Sequence, residues 1–466
     1  MKTWQIACFV IISLVATSGW SRPGRATLGR ATSSRATLGW TRHTADRDAF
    51  ERHLLHRAHD ALTEVIVADI FSPPVASRIY LYAHAAAYET LVASQGGPYR
   101  SAAGQLPGLT PPPSLTLTDV QPALAASEAL LVVGRSLVFS EKRLDELAEK
   151  LWEQVGRQGY PAQTIAASRA VGRQMAGHIL AWAAADQYKQ TRSLRRYTPQ
   201  KKPGAWLPTP PGYIAAVEPY WRRIRPLTLD SAAQYKLAAP PEFATTPDSR
   251  FYQSAREVRD VGNQLSPEQR LIANYWDCNP FYLNTQGHMN FASKKLSPGG
   301  HWLAIAGQVA RQTGADLLKT SAAYFLTAVA LFDGFIGCWD DKYRHNVIRP
   351  ETYINAHIDE SWKPLLQTPP FPEYPSGHSV ISTASAVVLT QLFGPNQAFT
   401  DSTEVTYGLP SRQFMSFHHA ADEAAISRLY GGIHYREAIE NGQKQGRQVG
   451  DQVLRKLQLV ALPATK

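Results

Sequence analysis

Only three cysteines occur in 466 residues: Cys8, Cys278 and Cys338. So few exclude a disulfide-stapled scaffold, and no Cys/His spacing typical of zinc is present. If the N-terminal segment is removed, Cys278 and Cys338 remain, either as one disulfide in an oxidising compartment or as two buried thiols. The sequence also lacks an uninterrupted apolar run of about 18 residues, the minimum for a membrane-crossing helix. Charged residues are scarce at 18%, against 44% hydrophobic. The chain therefore has material for a sizeable core, in one large domain or two ordinary ones. Acidic residues are outnumbered, 38 to 48, which leaves a net charge of +10. Residues 1–47 carry Lys2 and six arginines against Asp46, so six of those ten charges lie there. The remainder is too weakly basic to suggest nucleic-acid binding by the folded part.

Met1 to Ser18 has the layout of a secretory signal. Lys2 is a short basic start, Ile6 to Ala16 an apolar stretch too short to span a bilayer, and Ala16-Thr17-Ser18 a small-x-small cleavage site. Cys8 lies inside the apolar stretch rather than just after it, which argues against a lipid-anchored cysteine. The expected product is an exported protein, periplasmic or secreted, with no membrane span. Residues 19–45 repeat Arg25-Ala-Thr-Leu-Gly, Arg30-Ala-Thr-Ser-Ser and Arg35-Ala-Thr-Leu-Gly. They are polar and Gly-rich without packing periodicity, and read as a disordered leader.

Beyond Ala45 the pattern is helical almost throughout, so the expected class is all-α, arranged as two helical bundles. Residues 46–200 form the first bundle and 249–460 the second. Between them, 201–248 is rich in proline, and Trp206 and Trp221 are expected to pin it onto the body. Ser266-Pro267-Glu268-Gln269 is a helix start with Ser as cap and Pro in the first turn. Ser321 to about Asp341 is apolar nearly all round, which marks a central helix.

Three clusters carry the chemistry. Lys342 is followed after six residues by Arg349-Pro350. Pro375-Ser376-Gly377-His378 opens a run of apolar residues that reads as a buried helix. Ser427-Arg428 is followed after five residues by His434. Ser376 is a good N-cap, and Gly377 lets a backbone N–H approach a ligand. A hydroxyl, a free N–H and an imidazole thus meet the positive end of a helix, a ready anion site. Three cations and a second imidazole complete the inventory that a tetrahedral or trigonal-bipyramidal oxyanion needs. Pro350 pushes Arg349 to an extended conformation, so Lys342 ends a helix and Arg349 returns from a loop. Arg428 and His434 are roughly 240° apart on a continuous helix, and the break at Gly431-Gly432 lets them face one point.

This three-part pattern resembles the superfamily that joins type 2 phosphatidic acid phosphatases, bacterial acid phosphatases and vanadium-dependent haloperoxidases. The surroundings are similar to the bacterial soluble haloperoxidases: Trp276-Asp277, Gly300-His301-Trp302, Cys338-Trp339-Asp340-Asp341-Lys342-Tyr343 and Ser427-Arg-Leu-Tyr-Gly-Gly-Ile-His434-Tyr. The resemblance implies vanadate as cofactor, with hydrogen peroxide and halide as substrates and room for an organic acceptor. It implies that His434 binds the metal axially, that Lys342, Arg349 and Arg428 neutralise the vanadate oxygens, and that Ser376 and the Gly377 N–H hydrogen-bond them. His378 would be the acid/base on the opposite apical side, with Lys342 polarising peroxide. Trp339 and Phe371 stand where that family borders its halide site; ordinary aromatic packing accounts for them equally. Asp277 is a candidate to orient Arg428. His301 reads as a capping or packing residue, His418-His419 as a pair pointing apart, and Arg344 and His345 as solvent-facing or shaping the mouth.

One departure stands out. The third motif usually places an Asp four residues after the histidine, and here that place is Ala438. Glu437 or a backbone carbonyl is left to hold the other ring nitrogen of His434. Loss of that Asp weakens a phosphatase more than a vanadate binder, because the phosphatases use it to activate a nucleophilic histidine. The functional expectation is therefore halide oxidation. The alternatives are an exported acid phosphatase working through a phosphohistidine, and a phosphate-binding protein without turnover.

Overall fold

In a computed structural model the described residues are 34–286, 289–292 and 294–460. The expected signal segment and residues 19–33 of the leader lie outside them. The chain divides into two compact units, 1–47 and 48–466. Helix α1 (Ser34–Ala68) starts at Ser34 rather than near Ala45, so residues 34–45, expected as disordered leader, are helical.

The second unit continues with α2 (Pro73–Gln95), α3 (Pro122–Leu137), α4 (Glu141–Gly156), α5 (Ala162–Ala184) and α6 (Tyr188–Arg192). After a long connection come α7 (Arg250–Asn263), α8 (Pro267–Tyr275), α9 (Pro298–Gln312), α10 (Leu317–His345) and α11 (Pro350–His357). The last three are α12 (Gly377–Phe393), α13 (Phe417–Tyr430) and α14 (Arg436–Lys456). Two short antiparallel pairs, β1 (Leu283–Gln286) with β2 (Met289–Ala292) and β3 (Phe399–Asp401) with β4 (Arg412–Phe414), are additions to the all-α expectation. Helix starts follow their caps. Ser266 and Gln269 form a reciprocal capping box at α8, and Ser297, Asp316 and Ser416 cap α9, α10 and α13.

Helix α10 is the centre. Among the described residues it is the one helix long and apolar enough to cross a membrane, yet its apolar stretch is entirely buried inside the protein. A helix that is apolar all round must be covered on every side. Helix α2 from the first half and α9, α12 and α14 from the second supply that cover, and one core runs from Leu54 to Leu459. The helices before and after 201–248 thus pack on the same central helix within one compact unit. The proline-rich connection wraps the central helix instead. Trp206 and Trp221 are fully buried in it. Asp333, at mid-α10, accepts from the N–H groups of Leu227 at 2.9 Å and Thr228 at 2.7 Å. Asp341 accepts from the Leu237 N–H at 3.2 Å and from Gln445 Nε2 at 2.7 Å. Cys278 and Cys338 are buried free thiols rather than a disulfide.

The helix that opens the candidate site, α12, is clamped to α14 through a seam of small residues. Gly442, Gly446 and Gly450 recur every fourth residue and so share one face of α14. A Cβ at Gly446 would sit 2.3 Å from the Val380 carbonyl oxygen, and one at Gly442 would sit 2.9 Å from that of Ser376. Only glycine permits this approach, which fixes the first turn of α12 against the backbone of α14.

Candidate functional site

Each motif lies where a helix ends or begins. Lys342 is in the last turn of α10, which stops at Asn346 in the left-handed conformation (φ 52°). Arg349 then caps α11 with extended backbone (φ −75°, ψ 151°), as Pro350 requires. Ser376 is the N-cap of α12, its Oγ accepting from the Ser379 N–H at 3.3 Å. The Gly377 N–H, first in the helix, has no intrahelical partner. Arg428 is in the last turn of α13, and Gly432 (φ 77°) turns the chain so that His434 comes back beside it.

The structure brings these groups together. Arg349 Nη1 lies 3.3 Å from His434 Nε2 and donates to the Ile433 carbonyl at 2.9 Å, while its Nε donates to the Phe371 carbonyl at 2.9 Å. Arg428 donates to the carbonyls of Trp276 at 2.7 Å and Ala273 at 3.3 Å. A cavity is lined by Gly377, His378, Arg428 and His434, with Trp339, Phe371, Asp277, Cys278 and Phe281 on its walls. Trp339 and Phe371 both border it, ring centroids 5.0 Å apart. Lys342, Arg349 and Ser376 stand behind that lining. The Lys342 ammonium donates to the carbonyls of Pro372, Glu373 and Pro375, which use all three of its N–H groups. In this arrangement it holds the loop before α12 and contributes positive charge at short range.

That charge is poorly compensated. Lys342, Arg349 and Arg428 are essentially unexposed. Burial lowers all three pKa values, Lys342 to about 7 and Arg349 to about 10. Arg349 Nη2 and His378 Nε2 are buried with no hydrogen-bond partner among the described residues. The unpaired Arg349 donor and the buried cations call for an anion. A vanadate-sized oxyanion fits that requirement. Burial, then the charge of Arg428, also lowers the pKa of His378, which is therefore neutral and able to take a proton.

The partner of His434 was not legible in the sequence. Its Nδ1 lies 2.7 Å from Glu373 Oε1, and the same oxygen accepts from the Tyr435 N–H at 3.1 Å. The Nδ1 proton goes to the carboxylate, which leaves a lone pair on Nε2, the form of imidazole that binds a metal. Burial first, then Arg349 and Lys342, pushes the His434 pKa well below its usual value. Burial also raises Glu373 to about 7. Neither expected substitute takes the role. Glu437 accepts from Ser254 Oγ at 3.0 Å, and the ring nitrogen meets the Glu373 carboxylate rather than a backbone carbonyl. The only hint was a lone carboxylate between two prolines, three residues before Ser376.

Asp277 pairs with Lys295 and acts on Arg428 through its charge, while backbone carbonyls accept the Arg428 hydrogen bonds. His301 does not cap α9, since Ser297 does. It packs under Trp276 at a centroid distance of 4.6 Å. His418 and His419 take no part in the cavity. Arg344 pairs with Asp340.

The family model described as the VCPO second helical-bundle domain matches residues 322–461, the segment that holds every motif above. Among solved structures, a bacterial vanadium-dependent iodoperoxidase is 50% identical, covers 88% of this chain and 98% of its own, and superposes with a TM-score of 0.83. The holo form of a bacterial vanadium-dependent chloroperoxidase shares the fold at 18% identity, covering 84% of this chain and 93% of its own, with a TM-score of 0.63. Its apo form gives 17% identity, coverages of 83% and 94%, and a TM-score of 0.59. None of the curated proteins matches the chain.

Proposed function

The chain belongs to the vanadium-dependent haloperoxidases, and from that premise we propose that it binds vanadate in this cavity and oxidises a halide, iodide foremost, with hydrogen peroxide to hypohalous acid. The iodide preference rests on the 50% identical relative being an iodoperoxidase. The observation that carries the reading is the undercompensated cation cluster around His434 Nε2, a nitrogen kept unprotonated by Glu373 on its far side.

His434 would hold the vanadium through Nε2. Arg349, Arg428, the Ser376 hydroxyl and the Gly377 N–H would hold the vanadate oxygens, with Lys342 supplying charge from behind. When bound, vanadate supplies a Lewis acid that makes a peroxide oxygen electrophilic towards halide. His378, neutral in this setting, takes up a peroxide proton at Nε2 and returns it as water leaves, so that peroxide, halide and one proton give hypohalous acid and water. The Trp339 and Phe371 rings keep bulk water from that wall. An organic acceptor entering the cavity would meet these rings and Phe281.

Export belongs to the same proposal, supported by Lys2, the apolar stretch 6–16 and the small residues that follow. The test is reconstitution of the mature chain with orthovanadate and assay of iodide and bromide oxidation beside p-nitrophenyl phosphate hydrolysis. Vanadate-dependent halide oxidation is expected. Efficient ester hydrolysis by the vanadate-free protein, with no peroxide-dependent activity, would establish a phosphatase instead.

A further inference from the structure

A second cluster of ligating side chains includes Cys278, which lines the cavity. Cys278 Sγ is 3.4 Å from His301 Nδ1, and Glu404 Oε1 is 3.3 Å from the same nitrogen. The three ligand atoms lie within 4.8 Å of one another. They come from three places: the chain just after α8, the first turn of α9, and the 3-10 turn Thr403–Tyr407. All three residues are buried, at 2%, 0% and 8% exposure. The other ring nitrogen, His301 Nε2, lies 2.7 Å from Asp401 Oδ2. Asp401 is itself fixed, its Oδ1 accepting from the Thr403 N–H at 2.9 Å, from Thr403 Oγ1 at 2.6 Å and from Gln308 Nε2 at 3.3 Å.

We propose that Cys278 Sγ, His301 Nδ1 and Glu404 Oε1 bind a divalent transition-metal ion of the zinc class, with Asp401 orienting the imidazole from behind. A tetrahedral ion with bonds of about 2.0–2.3 Å sets its ligand atoms about 3.3–3.8 Å apart. The two nitrogen-centred edges already have that length, so the ring need not move. Carboxylate on one ring nitrogen and metal on the other is the arrangement that fixes a ligating tautomer. Without an ion, a buried thiol and a buried carboxylate face one Nδ1–H between them. A doubly charged ion replaces the thiol proton and the Nδ1 proton, so the buried charge is unchanged on binding. A set of thiolate, imidazole and carboxylate selects zinc over magnesium or calcium. Three protein ligands leave the fourth position to a solvent molecule.

The ion would have a structural role. Cys278 begins the segment Cys278-Asn279-Pro280-Phe281, which forms one wall of the anion cavity. Metal binding would fasten that wall to α9 and to the turn after β3. The site shares no residue with the proposed vanadate ligands, so it stands or falls separately from the reading of the cavity.

The full chain is to be purified without chelator, its metal content measured by mass spectrometry, then stripped and titrated with zinc against a chromophoric chelator. About one zinc per chain is expected. Cobalt substitution should give a thiolate-to-cobalt charge-transfer band together with intense visible bands of four-coordination. Cys278→Ser and Glu404→Gln should lose the ion, and Asp401→Asn should bind it about 10–100-fold more weakly. His434→Ala should bind it as wild type does. If the variants fail to fold, the wild-type cobalt spectrum decides, with protection of Cys278 from alkylation by zinc and Cys338 as internal control. No uptake by the folded wild type, a cobalt spectrum without thiolate charge transfer, or equal binding by Cys278→Ser would overturn the proposal.

Discussion

Replacing Glu373 by Gln isolates what holds the His434 imidazole in place. The carboxylate accepts two hydrogen bonds, from His434 Nδ1 at 2.7 Å and from the Tyr435 N–H at 3.1 Å. A Gln carbonyl can accept both, so the ring keeps its orientation and loses only the negative charge that makes Nε2 more basic. Losses of this kind weaken metal affinity by about 10–100-fold, or about 1.4–2.7 kcal/mol. Stability should move the other way. Burial raises Glu373 from its ordinary 4.5 to about 7. Between these values the folded chain holds a proton that the unfolded chain has lost, so stability falls as pH rises from 4.5 to 7. Above pH 7 the buried carboxylate opposes folding by on the order of 3 kcal/mol. Gln carries no such cost. At pH 8 the variant should therefore be at least as stable to urea as wild type while binding vanadate more weakly. Vanadate titration of the anion-free protein and urea unfolding at the same pH measure the two quantities. Glu437→Gln is the control and should change neither. Unaltered vanadate affinity in Glu373→Gln, or a parallel loss of affinity and stability, would refute the reasoning.

Two other expectations follow from the same geometry. Gly446→Ala puts a Cβ 2.3 Å from the Val380 carbonyl oxygen; it should force α12 and α14 apart, cost about 1–3 kcal/mol in urea unfolding and weaken vanadate binding, because Ser376 and Gly377 open α12. Lys342 is held at about 7 by burial, whereas the unfolded chain keeps its proton up to about 10.4. The unfolded state therefore binds more protons in that window, and the anion-free protein should gain about 2 kcal/mol between pH 7 and 9; Lys342→Met should flatten that rise in urea unfolding measured at each pH.

The site was legible where its chemistry sits beside prolines, glycines and helix caps. Pro350 fixed the extended backbone of Arg349, Ser376 announced the start of α12, and Gly431-Gly432 announced the turn that returns His434. The apolar girth of 321–341 likewise marked the central helix. What escaped the sequence depends on distance. Glu373 meets His434 across 61 residues, with no periodicity linking them, whereas Glu437 stands only three residues downstream. Lys342 has the right motif, but its direction is set by three loop carbonyls that no local pattern reveals. The role of residues 201–248 was hidden for a related reason. A proline-rich stretch such as 201–248 reads as a linker until Asp333 and Asp341 are seen to hold it against α10.

The central claim is that buried cations from three parts of the chain close on one oxyanion, with His434 Nε2 as the metal ligand. Equilibrium titration of the anion-free protein with orthovanadate, followed by vanadium-51 NMR with and without competing phosphate, tests it most directly. One saturable site per chain, displaced by phosphate and lost in His434→Ala, is the expected result. Vanadate binding that survives His434→Ala unchanged, or no saturable site in the wild type, would contradict it.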